Sequence, residues 1–579
     1  MDLIHNFFQK YKYRIQKVSF YLSILAIIAF IYDYGWSHTA SEHNWVNIFY
    51  EVSIILGIIS IGVKHIYTDR EITKPVKIFD LLSVVFLLII LFTALINHGS
   101  IWAFTIFFIF IREFSTLQIN YGKNVINPGL LFVYSFIVVI TLGSFLLMLP
   151  RSTTHGIDYI DALFISTSAV CVTGLSTIDF SADFTPFGQT IVLLLIQIGG
   201  LGIMTFASYF TFFFRGATSY QNQLTLSEFV SNDKLGEVYS IIKKIVITTL
   251  SIELLGAIFI YFSIDMNGNE IQDPIFFSLF HSISAFCNAG FSTMSDGLFH
   301  AGISTNYNLH LIIAALIVLG GLGFPIVFNF HKYGTYKIQY FWNKIRGKHS
   351  NKYVPWVLNL NSRISLITTF ALFMIGFISF FIFEFNHSLE GQSLWGKFVG
   401  SIFGSVTPRT AGFNTIDMTA MNFPTIMIYF LLMWIGASPA STGGGIKTNT
   451  FAVAAMNFMS LAKGKDRVEV FRRELSFISI RRAFSVMMLS LLVIGLAITI
   501  METYEYDKGL LSIAFECFSA YSTVGLSLGI TGDLTNVSKV VLICVMIIGR
   551  VSILTILIAL IPKEKYKNYR YPSDDILIN

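Results

Sequence analysis

The sequence predicts an all-α integral membrane protein, with four tandem helix–pore loop–helix repeats around a pseudo-fourfold pore and extra transmembrane helices at the N-terminus. Three observations carry this. The 579 residues are 54% hydrophobic and 16% aromatic but only 13% charged, about half the charged share of a soluble chain. Apolar runs long enough to cross a bilayer recur along the chain. Four short motifs say nearly the same thing at nearly equal intervals: Val172-Thr173-Gly174-Leu175, Asn288-Ala289-Gly290-Phe291, Thr410-Ala411-Gly412-Phe413 and Thr523-Val524-Gly525-Leu526. Each follows a short apolar segment and precedes a long one.

The chain opens on Lys10, Lys12, Arg14 and Lys17, followed by an apolar run to about Tyr32 without a small-residue cleavage site. This reads as a first transmembrane helix with a cytoplasmic basic flank, not a cleavable signal. Further spans are expected near 46–67, 78–97 and 100–116, the last ending at Arg112-Glu113. Residues 1–128 form the N-terminal extension. No span carries arginines at every third position, which excludes a voltage sensor, so the extension is assigned to packing or partner contact.

Pore repeats follow at 129–235, 236–361, 362–480 and 481–579, the last including a cytoplasmic tail. Each has an outer helix, a pore segment, a filter motif and an inner helix. The outer helices are expected near 129–150, 239–264, 363–385 and 482–503. The pore segments fall near 158–171, 274–287, 394–408 and 509–521, and the inner helices near 186–213, 306–331, 422–460 and 537–562. A dozen residues at 1.5 Å each cannot cross a ~30 Å core, so each pore segment must enter and leave on one side. Irregular backbone survives at that depth only when buried in protein or lining a wet cavity.

Charge supports this topology. Inferred cytoplasmic links are basic, with Lys332, Lys337, Lys344 and Arg346 after repeat two, and Lys463, Lys465, Arg467, Arg472 and Arg473 after repeat three. Inferred outer links carry Asp33, Glu42, Asp273, Glu502 and Glu505. This places the N-terminus and tail inside and the four motifs on the outer side. The net charge of +5 is spread between spans, which leaves no basic patch for nucleic acid.

Glycine recurs at the third motif position because a carbonyl aimed at an axial ion often needs a positive φ, which glycine adopts without penalty. The candidate ion-binding residues are Val172, Thr173, Gly174, Asn288, Ala289, Gly290, Thr410, Ala411, Gly412, Thr523, Val524 and Gly525. No carboxylate ring accompanies them, as a divalent or unselective pore would have. Glu516 lies in the fourth pore segment, with no counterpart in the other three. Cys171, Cys287, Cys517 and Cys544 lie in or beside apolar segments without metal-ligand spacing and read as small buried side chains.

Three features remain. Gly436-Ala437-Ser438-Pro439-Ala440-Ser441-Thr442-Gly443-Gly444-Gly445-Ile446-Lys447-Thr448 interrupts the third inner helix. It reads as an unwound segment below the motifs or as a kinked, tightly packed helix. It is not a phosphate loop, since Ile446 rather than glycine precedes Lys447. Arg550 lies deep in the last apolar run and must face protein or water. It either reaches an interface or subunit contact, or stands in the ion path. Gly199-Gly200-Leu201-Gly202 and Gly320-Gly321-Leu322-Gly323 suit close helix packing, or a hinge. No H-E-x-x-H pair, G-x-S-x-G elbow or intramembrane aspartate pair appears, so the sequence points to a transporter and not an enzyme.

Ser168-Ala169-Val170-Cys171-Val172-Thr173-Gly174-Leu175-Ser176-Thr177, Asn288-Ala289-Gly290-Phe291-Ser292, Thr407-Pro408-Arg409-Thr410-Ala411-Gly412-Phe413-Asn414-Thr415 and Ser522-Thr523-Val524-Gly525-Leu526-Ser527 resemble the Trk/Ktr/HKT superfamily of potassium transporters, in its bacterial TrkH/KtrB membrane-subunit form. The resemblance covers about 129–565. It implies potassium uptake across the bacterial cytoplasmic (inner) membrane, uniport-like or by cation-coupled symport. Gly174 stands where sodium-preferring members often carry serine, which favours potassium; a sodium-selective or nonselective monovalent cation channel is the alternative. Only one glycine per motif implies fewer ordered carbonyl rings than in potassium channels. The resemblance further implies an intramembrane gate at Gly443, Gly444, Gly445 and Lys447, with Arg550 as its pore arginine. It also implies a homodimer, a separate cytosolic nucleotide-binding ring and no bound cofactor, potassium being the substrate. Gly549-Arg550-Val551-Ser552-Ile553 departs from the family's Gly-Arg-Val-Gly-Pro, which implies a straighter last helix.

Overall fold

A computed structural model of the chain describes residues 2–37, 39–67, 74–94, 101–116, 128–202, 238–264, 271, 273–346, 359–551 and 557. Helix is its fabric. Among the described residues, five helices are long and apolar enough to cross a membrane: Val18–Gly35, Trp45–Gly62, Lys243–Ser263, Leu360–Glu384 and Phe477–Tyr504.

The N-terminal helices Asp2–Gly35, Ala40–Tyr67, Lys74–Ala94 and Ile101–Thr116 pack around Ala26, Tyr50, Ile54, Leu87, Ile106 and Ile109. Arg112-Glu113 does not end the fourth helix, as the sequence suggests, but lies inside it and buried. Arg112 pairs with Glu113 at 2.6 Å and Asp80 at 3.4 Å, and Ser60 donates to Glu113 at 3.0 Å. Charges held among apolar helices persist when paired and hydrogen-bonded.

The outer helices are Pro128–Leu147, Val238–Ser263, Leu360–Glu384 and Phe477–Tyr504. The pore helices are Tyr159–Cys171, Pro274–Cys287, Leu394–Val406 and Leu510–Ser522. The inner helices begin at Pro186, Tyr307, Phe423 and Asn536. In every repeat the end of the outer helix bonds to the start of the inner helix. Thr185 N donates to Ser152 O at 3.1 Å, and Asn306 Nδ2 donates to Ser263 O at 2.7 Å. Asn422 N donates to Glu384 Oε1 at 3.0 Å, and Thr535 N donates to Glu505 Oε1 at 2.6 Å. The intervening chain therefore returns to the level it left, which makes each pore hairpin re-entrant. The two carboxylates also cap the third and fourth inner helices, where a negative charge complements the helix dipole.

Neighbouring repeats are joined at the same level. Lys539, near the start of the fourth inner helix, donates to Asp161 in the first pore helix at 2.6 Å, with both side chains largely buried. The first and fourth repeats share one apolar core through Phe136, Val192, Ile494 and Met546.

Two expectations are corrected. The second inner helix is not continuous over 306–331: Tyr307–Gly321 gives way to Phe324–Ile345 across a 100° bend, made possible by Gly323 at φ 82°. Cys544 is exposed, whereas Cys171, Cys287 and Cys517 are buried. The third inner helix is interrupted over a full loop, Phe423–Trp434 resuming at Thr448–Ala462. That outcome is the unwound alternative, not the kinked helix. The basic residues at 203–237, 347–358 and 558–579 lie outside the described residues.

Candidate functional site

Each glycine motif follows a pore helix and begins with a residue forced into left-handed backbone. Val172 (φ 57°), Asn288 (62°), Thr410 (70°) and Thr523 (50°) precede Gly174 (96°), Gly290 (71°), Gly412 (80°) and Gly525 (92°). A β-branched residue at positive φ is rare, and three of the four are Val or Thr. The turn is held by helix-end bonds. Thr173 N donates to Ser168 O, Ala289 N to Ser284 O and Val524 N to Ser519 O, at 2.7, 2.7 and 2.8 Å. This 6→1 closure after a left-handed residue is a Schellman cap. Repeat three differs: its helix ends earlier, and Ala411 N donates to Thr407 O at 3.0 Å. Hydroxyls brace the far side of each motif. Ser168 and Ser519 Oγ accept from Gly174 N and Gly525 N at 3.0 Å. Ser284 donates to Phe291 O at 2.8 Å, and Thr407 donates to Phe413 O.

The four motifs close a ring. A methyl group on Gly174 would lie 3.3 Å from Gly290 Cα, one on Gly290 2.9 Å from Gly412 Cα, one on Gly412 3.3 Å from Gly525 Cα, and one on Gly525 3.0 Å from Gly174 Cα. The same four methyls would overlap the carbonyl oxygens of Ala289, Ala411, Val524 and Thr173 in turn. The repeats thus stand around one axis in chain order, and at each glycine both the positive φ and the neighbour's backbone forbid a side chain. Residues Ser176, Ser292, Asn414 and Ser527, two places beyond each glycine, line a cavity of about 230 Å³ over the ring. Below it, Thr173 Oγ1, Thr523 Oγ1 and Ser522 Oγ are buried without a hydrogen-bond partner.

Three inner helices lie against the ring's foundations. A methyl on Gly199, Gly320 or Gly549 would overlap the carbonyl of Val170, Phe286 or Tyr521, each four residues before its motif glycine. The Gly199 and Gly320 stretches therefore serve close packing, as small residues in membranes do.

The loop between Trp434 and Thr448 is pinched by a parallel bridge between Ile435 and Ile446. Methyls on Gly443 and Gly444 would strike Thr410 Oγ1 and Thr523 Oγ1, and one on Gly445 would lie 3.2 Å from Ser522 Cβ. The loop accordingly fits under the third and fourth motifs because it is glycine. Lys447 Nζ donates to Gly443 O at 2.5 Å. The loop also grips repeat two, where Ser438 N donates to Gly321 O at 3.0 Å and Thr442 Oγ1 to Phe286 O at 3.2 Å. Arg550 completes the set. Its guanidinium donates through Nη1 to Thr442 O, and through Nη2 to Gly199 O at 2.6 Å. One side chain from repeat four thus ties the loop of repeat three to the inner helix of repeat one.

The sequence reading brought together the twelve motif residues and the five loop and arginine positions. The left-handed backbone of Val172, Asn288, Thr410 and Thr523 is not foreseen, nor is the counterpart of Glu516. His281 occupies that register in the second pore helix, nine residues before Gly290 as Glu516 is before Gly525.

The model of the TrkH family, described as cation transport protein, matches residues 97–569. The chain belongs to the TrkH family of cation transport proteins. It is 36% identical over 453 residues to the Ktr system potassium uptake protein B of Bacillus subtilis (strain 168), covering 78% of this chain and 96% of that one. It is 34% identical over 461 residues to the potassium/sodium uptake protein NtpJ of Enterococcus hirae, covering 78% and 97%. In fold it is similar to the potassium transporter TrkH of Vibrio parahaemolyticus, with TM-score 0.60 at 18% identity over 90% of this chain and 97% of that one. This TrkH-family chain therefore shares an all-helical membrane architecture with that transporter.

Proposed function

We propose that this TrkH-family protein takes up potassium ions through the ring of motif carbonyls, and that the loop at 435–447 and Arg550 form its gate. The observation that carries the reading is the closed cycle of Gly174, Gly290, Gly412 and Gly525, with a carbonyl oxygen from every repeat at each contact. Four sets of peptide oxygens around one axis can replace the hydration shell of a potassium ion. The partnerless hydroxyls of Thr173 and Thr523 fit the same path, since buried polar groups are otherwise satisfied. A negative interior drives each charge inward with about 2.3 kcal/mol per 100 mV.

In this reading the ion sheds water in the cavity over the ring and passes between the carbonyls. It is then stopped where the glycine loop underlies the third and fourth motifs. The positive charge of Arg550 repels it there, and the two bonds of that guanidinium hold the loop in place. Opening requires those bonds to break. We further propose a homodimer in the bacterial cytoplasmic membrane, with its N-terminus inside and a cytosolic nucleotide-binding ring acting on the inner helices. The names of relatives from a Ktr system agree with a multi-component assembly. The potassium/sodium relative keeps a second reading open, that of a monovalent cation channel admitting both ions.

The test is growth and uptake in a bacterial strain lacking its own potassium uptake, with wild type beside Gly174→Ser. Wild type restores growth at low external potassium. The serine variant, with a side chain at positive φ against Ala289 O, admits more sodium relative to potassium. No rescue by an expressed, membrane-inserted wild type refutes the potassium reading, and equal ion preference in both refutes the assignment of the ring.

A further inference from the structure

The ring has fourfold pseudosymmetry, but its support is twofold. Nine residues before the glycines of the four motifs stand Ile165, His281, Phe403 and Glu516, all almost wholly buried in their pore helices. Two are apolar and two are polar. The polar ones belong to repeats two and four, which the cyclic order of the glycines places opposite each other.

Both polar residues do the same thing. His281 Nδ1 lies 2.9 Å from Phe277 O. A carbonyl only accepts, so Nδ1 carries the hydrogen and Nε2 is left as an acceptor. Ser292 Oγ, 2.9 Å from Nε2, therefore donates to it, and itself accepts from Met294 N at 3.1 Å. In repeat four Ser527 Oγ donates to Glu516 Oε1 and accepts from Gly529 N at 2.9 Å. Thr531 adds a second bond to the same carboxylate oxygen at 3.0 Å. In each case a serine two residues beyond the motif glycine is fastened to the pore helix on one side and to the backbone two residues further on the other.

The other two walls lack this tether. Ser176 in repeat one has only Ile165 in the matching register, and donates to Ile178 O at 2.7 Å. Asn414 in repeat three faces the Phe403 register, and donates to Asp296 O at 3.3 Å. Yet Ser176, Ser292, Asn414 and Ser527 all line the same cavity over the ring. Two residues of chain span at most about 7 Å, so fixing the serine fixes the path out of the adjoining glycine.

We propose that His281 and Glu516 are a diagonal pair of positioning residues, which anchor Ser292 and Ser527 and so hold two opposite walls of the ring from closing around the smaller sodium ion. The claim rests on the reading of the ring as a potassium path. Two tethered walls limit contraction along one diameter, while the walls backed by Ile165 and Phe403 yield.

The experiment measures potassium and sodium uptake by purified protein in liposomes. The variants are S292A, S527A, their double, E516Q, H281Q and the control S176A. Each single tether removal lowers the potassium-to-sodium ratio about threefold, and the double about tenfold, as expected when one buried hydrogen bond is lost per wall. S176A leaves the ratio unchanged. E516Q and H281Q keep an acceptor for the serine and hold the ratio near wild type. A double variant within twofold of wild type, or an S176A effect as large as that of S527A, overturns the proposal. If wild type itself moves no potassium, the ring assignment fails. If wild type discriminates and every variant matches it, only the role of the pair fails.

Discussion

Removing Arg550 should open the path. Its guanidinium makes two hydrogen bonds, to Thr442 O in the glycine loop and to Gly199 O in the first inner helix, which the proposed gate assigns to its closed form. A hydrogen bond to a charged group contributes about 1.5–3 kcal/mol net, so the pair favours the closed loop by about 3 kcal/mol at the low end. That corresponds to a shift on the order of 10²-fold in the open-to-closed ratio. Two further effects act in the same direction. The substitution removes a positive charge, and it leaves the loop with backbone and hydroxyl bonds to repeat two, among them those at 3.0 and 3.2 Å, and Lys447's internal bond at 2.5 Å. The assay is potassium flux in liposomes holding the purified membrane protein alone, without any cytosolic component. Arg550→Ala and Arg550→Gln should raise flux at least tenfold, with ion preference unchanged because the ring is untouched. Flux equal to or below wild type, in protein that elutes as a single species, would show the arginine to be a purely structural tie and refute the reasoning.

Other consequences are as concrete. Gly549→Ala places a methyl against Tyr521 O; overpacking of this kind costs about 1–3 kcal/mol, seen as a lower melting temperature in detergent, and an unchanged melt contradicts the packing. Lys539→Met and Asp161→Asn each strand a buried charge and should destabilise by about 3 kcal/mol, with the double variant markedly less affected; additive losses would rule out a coupled pair. For Glu505, at the end of the fourth outer helix, burial alone would raise the carboxyl pKa, but the bonds from the Thr535 N–H and the Thr535 and Ser538 hydroxyls outweigh it and hold it below the ordinary value. Its contribution is therefore fully present above the unfolded pKa of about 4.3 and is lost as pH falls through the lower folded value. Glu505→Gln should narrow the stability difference between pH 6 and pH 3, and an unchanged acid profile would refute this.

Much of the architecture is legible in the sequence because glycine has few reasons to recur at fixed intervals in apolar surroundings. Gly174, Gly290, Gly412 and Gly525 declare both the repeat and the positive φ. Gly443, Gly444 and Gly445 declare a break in the third inner helix. The order of the repeats around the axis is not legible, since it depends on which glycine meets which carbonyl. Val172, Thr410 and Thr523 are hidden for a different reason: β-branched residues do not advertise left-handed backbone, and here tertiary packing and the helix-end bonds overrule their preference. His281 and Glu516 escape notice as equivalents because their chemistry differs while their position and their serine partner agree. The bend at Leu322-Gly323 is masked by a glycine stretch that reads equally well as close packing. Cys544 looks buried from its apolar neighbours alone, but only one face of that helix meets the ring, and the other faces outward.

The most direct measurement is the position of a heavy potassium substitute. Thallium soaked into crystals of the protein, or rubidium at high concentration, should give an anomalous peak on the axis encircled by Gly174, Gly290, Gly412 and Gly525, within coordinating distance of the carbonyl oxygens of Thr173, Ala289, Ala411 and Val524. A protein that transports the ion yet shows no peak inside that ring, with density instead between two outer helices or beside the N-terminal bundle, would contradict the account.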